Sequence, residues 1–550
     1  MATSIIDRTG DGAPGPHPKT IEVGRRGVRE VEPRSSAWKS IAIVAGFALF
    51  GLVISFVVAQ FAGSSPYGVF FVALAIIAGI PGVIIAAQAI PEGIALGREF
   101  VKTRRWWHLP WFCIFFSMLV WRIRDVGAAS QNPVDGYAML RIVPESFAAL
   151  TLIIRLILKK PNWLPALFRG IPAAMTIYCL ICIATTPISV NPSWTAYKSF
   201  EFLADVSLIA SIVASAEGFI TYESWINWTL IFYGMSLVGV WINLPIFPTD
   251  AMDGGRLTGV IPVEASNSVG SSGGVLAIIA ISRLMPIFGK AKNRAWYLML
   301  LAFGVVSMVL SKTRSAEGAF LLAVLMIIVL TPKLRKLMLW STALLAPLVT
   351  VAIFVDDRLT GQAYTFIMDI VNRDQSDAAV TSLSGRTAWW AFGWEQLMHH
   401  PWTGLGAYAA GRFAVLGKLG VGSAAMMHSD WIEILIGTSF WGIIPFAGAL
   451  LAAWYYLFRA IRSKEYPDEQ RQLALELLGL LGMLTIHSFF NDELSWHCPL
   501  LYFAILGYAE FLRTYPKRAH AEALVPRPAS GFRETLMQAV PQGQFRNLTN

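Results

Sequence analysis

The sequence has few charged residues. Asp, Glu, Lys and Arg together make up 14% of its 550 residues, whereas ordinary soluble domains contain about 25%. Hydrophobic residues make up 55%. Apolar runs such as SIAIVAGFALFGLVISFVVAQF, which starts at Ser40, are long enough to cross a bilayer core of about 30 Å as helices. The composition excludes a soluble protein and predicts an all-α polytopic membrane protein.

The sequence is also poor in cysteine. Its four cysteines all lie in or beside apolar runs, and two of them, Cys179 and Cys182, form a CxxC pair. No second pair or nearby histidine completes a zinc site, so we expect small buried side chains here.

No short apolar segment with a small-residue cleavage site opens the chain, and we therefore expect no removed signal peptide.

Lysine and arginine occur mainly in short loops, and every second loop between apolar runs is basic, with the exception of the predicted loop EGFITYESWIN from residue 217. Basic loops face the cytoplasm, so we predict that both termini are cytoplasmic and that the number of spans is even. These loops account for the net charge of +9, which therefore gives no indication of a nucleic-acid partner. We predict about fourteen transmembrane helices, starting near residues 40, 67, 107, 138, 170, 199, 227, 271, 295, 316, 338, 433, 473 and 498.

The predicted organisation has five parts. A disordered cytoplasmic tail (1–38) precedes spans 1–11 (39–355), a large periplasmic loop (356–430), spans 12–14 (431–513) and a C-terminal cytoplasmic tail (514–550). Residues 295–330 are nearly all apolar, yet one helix of that length would measure about 54 Å. They are predicted to form two spans joined by a tight turn at Lys312 and Arg314.

The large loop contains SGRTAWWAFGWEQLMHHPW, beginning at Ser384. Ser384 is a candidate N-cap, and Trp390, Trp394 and Leu397 recur at helical spacing on one face. The pattern favours an amphipathic helix in the outer headgroup layer. A helix that packs a small core of its own within the loop is the alternative.

Several isolated cations lie in predicted outer loops, against the positive-inside preference. They are Arg122, Arg124, Lys198, Arg256, Lys312, Arg314, Arg386, Arg412 and Lys418. Arginine binds phosphate oxygens with a planar fork of donors. Arg256, Arg314 and Arg386, together with His428 at the start of a late span, indicate a site for an anionic ligand such as a polyprenyl diphosphate. A histidine at this position could accept a proton from an attacking hydroxyl.

Other interpretations of these residues remain open. An isolated outer arginine often contacts lipid headgroups, and a histidine at the start of a helix often makes only structural hydrogen bonds. Asp430 or Glu433 could be the base instead of His428. Asp430 lies about 200° and Glu433 about 140° around the predicted helix from His428, which favours the histidine.

Five stretches occur in the order that a known family shows, and a sixth, HSFFNDELSW (487–496), is similar to that family's late outer loop. The chain resembles the O-antigen ligase and polymerase family of bacterial inner-membrane proteins over about residues 176–511. The five stretches are ISVNPSWTAYKSFEFL (188–203), GGRLTGVIPVEASNSVG (254–270), SKTRSAEGAFLLAVL (311–325), SGRTAWWAFGWEQLMHHPWTGLG (384–406) and HSDWIEILIGTSFWGIIPF (428–446).

The resemblance implies a metal-independent glycosyltransferase that uses undecaprenyl-diphosphate-linked donors at the periplasmic face. It maps the family's essential arginines onto Arg314 and Arg386 and its catalytic histidine onto His428. Lys198, Arg256, Asn267 and Lys312 lie in the matching stretches as candidate substrate-binding residues. The family often has His-Asn where this chain has His428-Ser429, so an orienting amide is missing from that position.

No cofactor and no metal are expected. The aspartates of the predicted outer loops are spaced DxxD (250 and 253, 374 and 377) and not DxD, whereas nucleotide-sugar enzymes commonly hold Mg²⁺ or Mn²⁺ through clustered carboxylates.

The expected partners are the lipid-linked donor, a lipid A-core or glycan acceptor, the bilayer, and other polysaccharide-assembly proteins. Ligase and polymerase activity are not distinguished by the sequence. A lipid-linked oligosaccharide flippase and a protein O-oligosaccharyltransferase are the alternatives.

Overall fold

The computed structural model describes residues 85–98, 105–122, 136–158, 163–288, 290–332, 334–336, 338–343, 385–420, 426–495 and 500–524. Helices dominate these residues. The helices named below are α1 (His108–Met118), α2 (Gly136–Ile157), α3 (Leu164–Leu167), α4 (Gly170–Ala184), α5 (Pro192–Ser215), α6 (Phe219–Ile246), α7 (Pro248–Ala251), α8 (Ser266–Leu284), α9 (Arg294–Ser311), α10 (Arg314–Leu330), α11 (Arg386–His399), α12 (Asp430–Arg462), α13 (Asp468–His487) and α14 (Leu500–Leu524). A 3₁₀ turn (Thr186–Ile188) and a π-helix (Ala410–Leu416) complete the set.

Strands are short and form no sheet core in the described part of the chain. Between α7 and α8 two antiparallel pairs follow each other, each strand two residues long. The strands are β1 (Met252–Asp253), β2 (Arg256–Leu257), β3 (Gly259–Val260) and β4 (Val263–Glu264), with β1 paired to β2 and β3 to β4.

The described helices support the membrane class. Four are long and apolar enough to cross a bilayer: Gly170–Ile188, Phe219–Ile246, Arg294–Ser311 and Asp430–Arg462. The bent pair Arg314–Leu330 and Leu334–Ala343, with 108° between its halves, is a fifth candidate. A count of fourteen spans is not confirmed. Helices α2, α5 and α13 lie at other predicted spans but carry several charged side chains, and the predicted span from residue 40 lies outside the described residues.

Helix ends differ from the predicted boundaries at three places. The loop predicted from residue 217 is mostly helical, because α6 already begins at Phe219. The N-cap of α11 is Gly385 and not the predicted Ser384, which lies outside the described residues. The last helix continues to Leu524, past the predicted end of span 14 at 513.

The predicted turn between two helices in residues 295–330 is present. Helix α9 ends at Ser311, Lys312 adopts a left-handed conformation, and α10 begins at Arg314. Close packing of α8 on α9 places this turn: a Cβ on Gly273 or on Gly304 would lie 2.5 Å from the carbonyl oxygen of the other. Only glycine permits such an approach, and it holds the turn beside the start of α8.

Helix α12 is interrupted at Ser439, whose φ of 58° is left-handed. The backbone N–H groups of Leu405 and Gly406 donate to the carbonyl oxygens of Ile436 and Gly437 at 2.9 and 3.0 Å. They satisfy carbonyl groups that the interruption would otherwise leave without partners, as a buried helix break requires. The first part of α12 is thereby a short helix of its own orientation, and its N-terminus follows directly after His428.

Residues 488–495, called the polar loop below, follow α13 and lead towards α14. The buried carboxylate of Asp430 accepts hydrogen bonds from the backbone N–H groups of Glu493 and Leu494, both at 2.8 Å, and of Ser495 at 2.9 Å. It also accepts one from the Ser495 hydroxyl. Because a buried charge must be paired or hydrogen-bonded, this carboxylate is occupied in fixing the polar loop to the start of α12.

Candidate functional site

Three helix N-termini meet the polar loop and its attachment to α13. At the start of α10, the Ser315 hydroxyl lies 3.1 Å from Nε2 of His487, the last residue of α13. At the start of α11, Arg386 Nη1 donates to the carbonyl oxygen of Phe490 at 2.6 Å. At the start of α12, the Asp430 N–H donates to the carbonyl oxygen of Ser488 at 3.0 Å. The first turn of a helix carries unpaired N–H groups and a partial positive charge, and it favours anions.

The predicted cations Arg256, Lys312, Arg314 and Arg386 gather around these helix starts. Arg314 and Arg386 are the first residues of α10 and α11. Burial lowers the pKa of Arg386. The charge of Asp492 opposes this lowering, and the charge of Arg256, on β2, adds to it. Lys312 lies close to Gly255, the neighbour of Arg256: its Nζ is 3.3 Å from the point that a Cβ on Gly255 would occupy. Like charges repel, so their convergence indicates an anionic ligand.

Asn267 lies at the edge of the same region. It is the second residue of α8, and the carbonyl oxygen of the preceding Ser266 accepts a hydrogen bond from the Thr313 hydroxyl at 3.0 Å. This bond connects the start of α8 to the turn that bears Lys312 and Arg314. Asn267 therefore belongs to the cationic region by its backbone position.

Lys198 lies in a different cluster. It is on α5, is buried, and forms an ion pair with Glu201. Arg141 of α2 approaches Glu201 as well, at 3.9 Å. Since each of these charges has an opposite charge beside it, the structure groups Lys198 with the helix packing of α2 and α5 and not with the cations at the polar loop.

Three other predicted outer cations contact an aromatic ring or a polar side chain. Arg122 lies 5.6 Å from the ring centre of Tyr137, and Arg412 lies 5.0 Å from that of Trp194. Lys418 donates to the Gln396 side chain at 3.1 Å. Arg124 lies outside the described residues.

His428 is half-buried between α11 and the polar loop. Its ring stacks on Trp389 with 6.1 Å between ring centres, and its Nδ1 lies 3.3 Å from the Asn491 side-chain oxygen. Burial, and after it the charge of Arg386, lowers the pKa of His428 to about 4, although the Asn491 contact opposes the shift. The imidazole is therefore neutral at pH 7, which is the form that can accept a proton.

The two acidic residues after His428 are turned elsewhere. Asp430 is occupied by the polar loop, whereas Glu433 follows one turn later on α12, and its Oε2 has no hydrogen-bond partner among the described residues. Both are fully or nearly fully buried. Their surroundings favour His428 as the proton acceptor among these three groups.

Asp492 is a site residue that the sequence reasoning missed. It is buried in the polar loop, and neither carboxylate oxygen has a hydrogen-bond partner among the described residues. Burial, with the charges of Asp430 and Glu433, raises its pKa well above the ordinary value, while Arg386 opposes the rise. The signal was present in HSFFNDELSW, where three polar residues follow one another in an apolar part of the chain.

No group of three or more His, Cys, Asp or Glu side chains with the geometry of a metal site occurs in the part of the chain that the structure describes. Cys179 and Cys182 are free and buried, as predicted. The chemistry available at the polar loop is therefore that of arginine and lysine cations, helix N-termini, a neutral histidine and a buried carboxyl group.

The fold and the candidate site define an α-helical membrane protein with a cationic, histidine-containing centre beside its helix ends. The family model described as O-Antigen ligase matches residues 297–447. The match confirms the predicted resemblance to the O-antigen ligase and polymerase family, over a shorter range than the motifs suggested. It includes Lys312, Arg314, Arg386 and His428 and leaves out Lys198, Arg256, Asn267 and the polar loop. No curated protein matches the chain.

Proposed function

We propose that the protein transfers a glycan from undecaprenyl diphosphate to a sugar hydroxyl in the assembly of a surface polysaccharide. The family match supports a ligase or polymerase type of activity. The observation that carries the donor assignment is the convergence of Arg256, Lys312 and Arg386 with three helix N-termini. A diphosphate carries negative charge that this group of cations can bind, and a polyprenyl chain explains why the region lies in a membrane protein.

The proposed reaction is a direct displacement. The acceptor hydroxyl oxygen attacks C1 of the first donor sugar, and the bond from C1 to the diphosphate oxygen breaks. Undecaprenyl diphosphate leaves with the bonding electron pair, and the arginines and helix N-termini stabilise its developing charge. The hydroxyl proton passes to Nε2 of His428, which is neutral before the step. No metal or cofactor takes part.

The proposed location is the bacterial inner membrane, with the site at the periplasmic face. The donor diphosphate would reach the cations from the outer leaflet, while the acceptor glycan would approach His428 from the periplasm. The exposed tryptophans of α11 and the segment after it, Trp394 and Trp402, are suited to the headgroup layer on that side.

Topology is tested by cysteine labelling in a background without the native cysteines. A cysteine at His400, exposed after α11, is expected to react with an impermeant thiol reagent added to intact spheroplasts. A cysteine at Lys464, exposed between α12 and α13, is expected to react only after lysis. Labelling of the Lys464 position in intact spheroplasts would invert the orientation.

Gene deletion distinguishes the two forms of the proposed activity. Loss of a polymerase is expected to reduce a polysaccharide ladder to one repeat, because single repeats still reach the acceptor. Loss of a ligase is expected to leave lipid A-core without any attached chain. An unchanged ladder and an unchanged core would contradict both, and loss of glycan from a secreted protein alone would identify a protein O-oligosaccharyltransferase.

An assay of diphosphate release by the purified protein distinguishes a transferase from a flippase. With an undecaprenyl-diphosphate-linked glycan and an acceptor, a transferase releases one undecaprenyl diphosphate for each glycosidic bond formed. A flippase moves the donor across the bilayer without releasing diphosphate. Release that depends on the acceptor is the expected result.

A further inference from the structure

The side chain of Asn491 is held from both ends. Its carbonyl oxygen faces His428 Nδ1 at 3.3 Å, and its amide nitrogen donates to Glu493 Oε1 at 2.9 Å. The two ends of an amide look alike in shape but differ in hydrogen bonding, so the partners decide its orientation. Glu493 Oε1 accepts the hydrogen bond from the amide nitrogen, so the carbonyl oxygen of Asn491 is turned towards His428.

Glu493 is itself supported by α13 and α10. His487 Nδ1 lies 3.0 Å from the same Oε1 atom, and the Ser315 hydroxyl lies 3.1 Å from His487 Nε2. All of Asn491, Glu493 and His487 are buried. The chain of contacts runs from the start of α10, next to Arg314, to the ring of His428.

A carbonyl oxygen accepts hydrogen bonds and donates none, so the proton in the contact with Asn491 belongs to His428 Nδ1. We propose that Asn491, oriented by Glu493, is a positioning residue that fixes His428 in the tautomer with the proton on Nδ1 and a free electron pair on Nε2. The inference rests on the proposed function, in which Nε2 accepts the acceptor's proton. It follows the rule that a catalytic base is oriented by a third group.

The inference also accounts for the missing amide at position 429, where the family often has an asparagine after the histidine. Ser429 is buried at the N-cap of α12 and makes no side-chain capping hydrogen bond. The amide beside the imidazole comes instead from the polar loop, 63 positions further along the chain. A neighbour in the sequence is thus replaced by a neighbour in space.

The charged groups around His428 come from three elements. Arg386 of α11 and His487 of α13 both lower its pKa, after the larger effect of burial. The polar loop contributes Asn491, which opposes them, and it carries Asp492 and Glu493. In this setting the wild-type kcat is expected to fall only as the pH approaches about 4, because a base must be unprotonated to act.

Three variants test the inference through kcat and its pH dependence. Asn491→Ala removes the acceptor at Nδ1 and is expected to lower kcat by about 10–100-fold, with the KM for the donor unchanged. Glu493→Gln lets the Asn491 amide rotate, and its kcat is expected to lie between those of the wild type and Asn491→Ala. Asn491→Asp keeps an acceptor but adds a negative charge, which raises the histidine pKa. Its kcat is expected to decline at clearly higher pH than in wild type, towards pH 6.5.

Gln396→Glu is the matched control. Gln396 lies on α11 and bonds Lys418, so the same amide-to-carboxylate change adds a charge on that helix away from His428. Its pH profile is expected to match wild type. Should Asn491→Ala fail to accumulate, the kcat of Glu493→Gln still tests the inference, because that variant keeps the Asn491 amide and frees only its orientation.

The outcomes separate this inference from the proposed function. Wild-type kcat in Asn491→Ala, or an unshifted profile in Asn491→Asp, overturns the positioning role if His428→Ala is inactive. The proposed function fails instead if the wild-type protein, given donor and acceptor, releases no undecaprenyl diphosphate. Wild-type transfer by both His428→Ala and Asn491→Ala would contradict only the role of His428 as proton acceptor. A kcat loss in Asn491→Ala at an unchanged KM and protein level supports the inference, and a shift in Asn491→Asp shows that position 491 faces the group that titrates.

Discussion

Replacement of His428 by alanine is expected to abolish glycan transfer while the protein still accumulates in the membrane. A positioned acid–base group contributes about 10²–10⁴-fold in rate. The histidine is half-buried, stacks on Trp389 and is neutral at pH 7. Its removal therefore takes away the proton acceptor without breaking an ion pair. The measurement is acceptor-dependent release of undecaprenyl diphosphate by purified protein, together with donor binding, which is expected to persist.

His400→Ala is the control for this prediction. His400 is exposed just after α11 and has no contact with the polar loop among those the structure shows. It is expected to retain full activity. If activity survives in His428→Ala but is lost in Asp492→Asn or Glu433→Gln, the proton acceptor is one of those carboxyl groups and the assignment to His428 is wrong.

The main candidates of the site could be predicted because they violate membrane rules that act locally. An arginine in an outer loop, or a histidine at the mouth of an apolar helix, is costly or unexpected where it stands. This logic, with the family motifs, selected Arg314, Arg386 and His428 without any knowledge of contacts. The turn at Lys312 could be predicted in the same way, since a single apolar helix across it would be too long for a bilayer.

The same logic grouped Lys198 with the other cations without its ion pair to Glu201, and it named no candidate site residue within the polar loop. Whether a cation is free for a ligand depends on its partners, and Glu201 is only one helical turn from Lys198. A pairing at i, i+3 could have been anticipated from the sequence. The contact of Asn491 with His428 could not, because it joins residues 63 positions apart through the folding of α12 against α13.

The interruption of α12 at Ser439 is a further limit of local reasoning. Neither glycine nor proline occupies position 439 itself, and Gly437, Gly442 and Pro445 mark only the neighbourhood of the break. The break is stabilised from outside, by N–H groups of residues 405 and 406 that lie in the preceding loop. A tertiary interaction of this kind sets the orientation of the short helix after His428, and a pattern confined to α12 does not contain it.

Arg386→Lys is expected to reduce kcat on the order of 10²-fold, the usual cost of losing one donor to a developing anion. The substitution keeps the positive charge and removes the planar fork. In the wild type, Nη1 is held by the carbonyl oxygen of Phe490, so the remaining donors of the guanidinium are fixed in direction. The single nitrogen of lysine cannot hold that carbonyl and also present a fixed pair of donors to a diphosphate.

The comparison that decides between a diphosphate clamp and a headgroup contact uses three arginines. Arg314→Lys is expected to resemble Arg386→Lys, because each arginine begins a helix that meets the polar loop. Arg122→Lys is the control, since Arg122 is exposed and lies over Tyr137, away from that loop. A diphosphate clamp requires that the first two lose kcat and the third does not, at equal protein level and Tm. Wild-type kcat in both Arg314→Lys and Arg386→Lys would mean that charge alone suffices, and generic contact with lipid headgroups would then explain these arginines better than recognition of a leaving group.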